Sequence, residues 1–83
     1  MDTDIVYKQE IIDKAKQLWI NRYSDEFGYV SEKLNTLSNL VVEDYWIAWQ
    51  MFDLQNQALL VDSLSNGAKN IINNFKKKQH ENI

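Results

Sequence analysis

The chain has 83 residues, nine Lys+Arg against twelve Asp+Glu, and a formal charge of -3. Single domains usually span about 50 to 250 residues, so the length leaves room for one. The absence of Cys and Pro excludes disulfide scaffolds, thiolate metal centres and Pro-rich or collagen-like segments, while 45% hydrophobic content with three Trp, four Tyr and three Phe argues against disorder.

Two Gly and no Pro leave few helix breakers, and no segment sustains the alternation of a strand. The pattern predicts an all-α fold: a small bundle of three or four helices around a long central helix. Residues 1–79 are read as a single helical domain, and 80–83 as a frayed C-terminal tail.

The first helix is predicted from about Asp4 to Tyr23, capped by Thr3 or Asp4. Ile11, Ile12, Ala15, Leu18, Trp19 and Tyr23 recur at three- and four-residue steps, as a buried helix face requires. Lys14, Lys16 and Arg22 lie toward its C-terminal end, where the macrodipole favours cations. Ser24 to Gly28 reads as a loop, with Gly28 available for a positive φ. Ser31 is then the expected N-cap of a short helix through Leu34, Leu37 and Leu40. Glu43 and Asp44 look like first-turn acids of the next one.

Leu40 to Leu64 is the richest segment, with 16 apolar residues in 25. As one helix it would run about 37 Å at 1.5 Å per residue. Projected at 100° per residue, Val41, Tyr45, Ala48, Trp49, Phe52 and Leu59 make one apolar face. Ile47, Met51, Leu54, Ala58 and Val61 make a second, roughly opposite. A helix apolar on two sides is buried on two sides, so the second face needs other helices or a second molecule. Asp53 offers the alternative: as an N-cap it would split the segment in two. After the break at Ser65-Asn66-Gly67, Ser65 can cap a last helix. That helix carries Ala68, Ile71, Ile72 and Phe75 on one stripe and Lys76-Lys77-Lys78 near its end.

Charge is uneven along the chain. Residues 23–68 hold seven acids and only Lys33, and residues 69–83 hold four Lys against Glu81. Solubility is the simplest use of such charge. An acidic middle facing a basic partner is the sharper one. Three Lys at a helix C-terminus serve as dipole partners and solubilising charge more often than as phosphate contacts, so nucleic-acid binding is not expected.

Catalytic signatures are missing. His80 is the only His and sits in the expected tail, where general acid–base chemistry finds no held geometry. There is no Gly-rich phosphate loop, nucleophile elbow or His-Glu-x-x-His. No cofactor and no metal are expected. No stretch of about 20 apolar residues could span a membrane, and the acidic start is unlike a secretory signal, so a cytoplasmic protein is the expectation.

These features point to a small acidic, non-enzymatic protein–protein interaction module, an adaptor or inhibitor, self-associating as a homodimer through its central helix. The candidate partner-binding residues are Trp46, Gln50, Asp53, Ile47, Met51 and Leu54. Trp46 leads because it falls on a polar side of the projection, beside Gln50 and Asp53, and Trp is enriched at binding hot spots. An acidic decoy for a nucleic-acid-binding protein, a small helical transcription regulator and a small-ligand-binding helical protein are the alternatives.

Overall fold

The computed structural model describes residues 3–23 and 27–81, with side chains described for 4–23 and 31–78. It is all-α. Five α-helices follow one another among the described residues: α1 (Thr3–Tyr23), α2 (Phe27–Asn39), α3 (Tyr45–Gln50), α4 (Leu54–Asp62) and α5 (Asn66–Glu81). A short 3-10 helix, Val42–Asp44, leads into α3. No helix among the described residues is long and apolar enough to cross a membrane.

The element at the centre is α1, not the segment 40–64. It packs against α2, α3 and α5, and to a lesser extent against α4. Its stripe is the one the spacing predicts: Ile11, Ile12, Ala15 and Trp19 are buried, with Leu18 and Tyr23 packed at the edge. Trp19 is the hub, its ring centroid 4.5 Å from Tyr23 and 5.1 Å from Phe52. The cap expected from Thr3 or Asp4 falls at the edge of the described residues: both belong to α1, and the Thr3 side chain and the preceding residues lie outside them.

Helix α2 starts earlier than predicted. Gly28 and Ser31 both lie inside it, so Ser31 caps nothing and Gly28 keeps a helical backbone. Only Leu37 of its described side chains is fully buried, with Leu34 packed beside the core.

The predicted central helix is broken at Met51–Asp53. Asp53 has extended backbone (φ -73°, ψ 174°), and its carboxylate accepts from the Asn56 N–H at 2.9 Å. This is a full N-cap, worth about 1 kcal/mol. The larger reason is burial. A straight rod would carry Trp49 and Phe52 to one region and Leu60 and Leu64 to another. The bend brings all four into one cluster with Trp19 and Ile72. It also lets buried Asn56 donate from Nδ2 to the Tyr23 hydroxyl at 3.0 Å.

Helix α4 ends at Asp62, and the Ser63 hydroxyl donates to the Leu60 carbonyl at 2.8 Å. Ser65 then starts α5 as expected. Its hydroxyl accepts a long contact from the Ala68 N–H, 3.4 Å, and its carbonyl takes the Lys69 N–H at 2.9 Å. The Glu10 carboxylate reaches across from α1 and accepts from both the Ser65 N–H (2.6 Å) and hydroxyl (2.7 Å). Close by, Gly67 packs under the Tyr7 ring, and a Cβ there would overlap the ring unless it shifts. The α5 stripe then buries Ala68 and Ile72 and packs Ile71 and Phe75 on the core.

Candidate partner-binding surface

The break separates the six candidate residues: Trp46, Ile47 and Gln50 lie on α3, Met51 and Asp53 in the break itself, and Leu54 on α4. Trp46 and Gln50 are exposed one turn apart on α3. Ile47 and Met51 are half-buried, and Met51 packs on the core. Asp53 is exposed at the cap, and Leu54 is 84% exposed as the first residue of α4. The polar side that the single-helix projection drew through Trp46, Gln50 and Asp53 therefore ends at Gln50. Past the break the register restarts.

Trp46 is 36% exposed, but one face is covered. Its ring stacks on Phe75 of α5, with centroids 6.1 Å apart and planes at 20°. The aromatic side of α3 thus leans on α5 rather than standing free. Tyr45 meets the same Phe75 edge-on at 6.3 Å. Lys8 lies 5.6 Å from the Tyr45 ring centroid and 3.3 Å from the Glu43 carboxylate. That hydrogen bond raises the Lys8 pKa above its ordinary value, against a smaller opposing effect of burial. Burial raises the Tyr45 phenol as well, with the nearby Lys8 ammonium pulling the other way.

Two recesses flank this α3–α5 seam. One, of 370 Å³, lies among Lys8, Tyr45, Trp46, Phe75 and Lys78. The other, of 280 Å³, runs between Trp49 and α4. Its walls are Leu54, Gln57, Ala58 and Val61, and Asp62 and Lys76 stand at its edge. Lys76 is held over the Trp49 ring, 5.7 Å from its centroid. Leu54, Ala58 and Val61 belong to the second apolar face read from the sequence, and here they line an open recess. Leu59 of the first face is also exposed at 41%, and Val41 at 60%.

One surface was missed by the sequence reading. Ile5, Val6 and Ile20 on α1 are 45%, 66% and 46% exposed, and a 550 Å³ groove opens along Ile5, Val6, Gln9 and Asp13. The signal was present for Val6 and Ile20, which fall off the buried stripe of α1, but not for Ile5, which lies on it seven residues before Ile12.

Among the described residues, no three His, Cys, Asp or Glu side chains come together as a metal site. The side chain of His80 lies outside the described residues. Comparison of the chain with protein families, with curated proteins and with solved structures finds no match.

Proposed function

We propose that the chain is a small non-enzymatic protein–protein interaction module, an adaptor or inhibitor, whose docking surface is built on α3 and α4. The observation that carries this reading is Leu54. A large apolar side chain left 84% exposed at the mouth of an apolar recess has no structural use in the monomer. Scattered apolar residues are common on surfaces, but contiguous apolar patches mark interaction sites. Here Leu54 is continuous with Ala58, Val61 and the edge of Trp49.

The test is capture from the native host on immobilised protein, comparing the wild type with Leu54→Ser and Trp46→Ala. A partner held by the wild type and lost with Leu54→Ser, at unchanged thermal stability, is the expected result. An identical set of proteins on both surfaces rejects the reading. Trp46→Ala separates the two recesses: loss with this variant alone would move the docking site to the Tyr45–Phe75 side.

A homodimer is the second reading. It draws on the exposed Ile5, Val6 and Ile20 of α1, and closed twofold pairs are the commonest protein assemblies. Light scattering over a dilution series decides it. A mass that stays monomeric at high concentration removes it.

A further inference from the structure

The geometry points to a basic amphipathic helix as the occupant of the recess between Trp49 and α4, its apolar side chains on Leu54, Ala58 and Val61, its Lys or Arg side chains on Asp53 and Asp62. This inference rests on the reading of the chain as an interaction module and names the chemistry of the partner.

The first ground is charge. From residue 34 to residue 68 the chain has no Lys or Arg, and it has four acids: Glu43, Asp44, Asp53 and Asp62. Glu43 is already paired with Lys8 on the other side of α3. Asp53 uses one oxygen on the Asn56 N–H and is otherwise exposed. Asp62 is exposed and has no partner among the described residues. The second ground is arrangement. On α4, Leu54, Ala58 and Val61 fall within about 60° of one another, a single stripe. Asp53 stands at one end of it and Asp62 beside the other, about 13 Å apart along the axis. An amphipathic helix lying in a groove meets its partner through such a stripe, with charges at the margins. The Trp49 ring is already covered by the chain's own Lys76, so the partner's cations fall to Asp53 and Asp62 at the two ends of the stripe and not to this ring.

A second copy of the chain fits poorly. Its most basic helix is α5, and the apolar stripe of α5 is committed to the core through Ala68, Ile71, Ile72 and Phe75. The α5 of a second copy could offer lysines but not apolar side chains beside them, and its α1, with Ile5, Val6 and Ile20 exposed, carries three acids among its four bases and so lacks the one-sided positive charge of a basic helix.

Two 18-residue amphipathic peptides serve as probes, one of Leu and Lys and one of Leu and Glu in the same pattern. Each is titrated into the full chain by calorimetry, at low and at high salt. The Lys peptide is expected to bind at least tenfold more tightly than the Glu peptide and to weaken with salt. Leu54→Ser and Asp62→Lys should each weaken it about tenfold. Glu32→Lys, an exposed acid on α2, should change it less than twofold. All three positions are exposed, and thermal melts confirm that the variants fold. Equal binding of the two peptides, no binding of either, or equal weakening by Glu32→Lys and Asp62→Lys would each overturn the inference. So would self-association of the chain that Leu54→Ser abolishes, because the occupant is then a second copy. If the peptides fail while host capture still depends on Leu54, the basic-helix chemistry falls and the interaction module stands. If both fail, the module reading falls too.

Discussion

Phe52 and Leu54 are two residues apart and similar in hydrophobicity, and the fold treats them in opposite ways. Phe52 is 4% exposed and meets Trp19, whereas Leu54 is 84% exposed. The residue between them explains the contrast. Asp53 ends the approach from α3 and starts α4 on a new axis, so periodicity on one side says nothing about the other. The lesson is that a capping residue inside an apolar run resets which side chains face the core.

Phe52→Ala is the strongest way to break this contrast. It should cost about 3–5 kcal/mol, as large aromatic truncations in cores do. Leu54→Ser should stay within about 0.5 kcal/mol. Both are read from urea melts. If Leu54→Ser costs as much as Phe52→Ala, Leu54 is packed and the docking surface is lost. Gly67→Ala comes next. Helix propensity alone favours Ala by roughly 1 kcal/mol, but the Tyr7 ring occupies the space, so a net loss of about 1–3 kcal/mol is expected. A gain in melting temperature would show that the ring moves aside freely. Asp53→Ala should cost about 1 kcal/mol through the lost cap and leave the α3 side unchanged. Amide exchange resolves the two, with faster exchange expected at the first turn of α4 only.

The smallest effect is on pH. Lys8 and Tyr45 both hold their protons more tightly in the folded chain than at their ordinary values of 10.5 and 10.0. Their contribution is therefore complete below about pH 10 and is lost as the pH rises through the folded values. A stability profile flat from neutrality and falling in alkali is expected, with a shallower fall for Glu43→Gln. A profile that rises above pH 10 would contradict both assignments.

Much of the fold was legible in the sequence, for reasons that differ by element. The α1 stripe from Ile11 to Trp19 and the α5 stripe from Ala68 to Phe75 were plain, because long amphipathic helices repeat their signal. Ser65 was readable as a cap because it precedes such a stripe. Helix α2 was misjudged at its start, where Gly28, read as the end of a loop from Ser24, lies inside the helix; residues 24–26 of that loop lie outside the described residues. The central place of α1 was not legible, since periodicity identifies a buried face and not the neighbours that bury it. For the same reason Leu60 could not be told from Leu54. The Asp53 break was visible only as an alternative to one straight helix. Trp46 was found on its polar side, but its stacking on Phe75 depends on the return of a helix some thirty residues later.

The central position of α1 also sets an order of events. Its Ile11 and Ile12 are made well before Ile72 and Phe75 of the same cluster. At about 5–20 residues per second, the 60 or so residues between them take roughly 3–12 s to synthesise. Through that interval the face of α1 that α5 will cover stays open to any other apolar surface. A chain stopped before α5 would leave it open for good, so messages truncated near Ser65 should yield product that aggregates or is degraded rather than a smaller folded bundle.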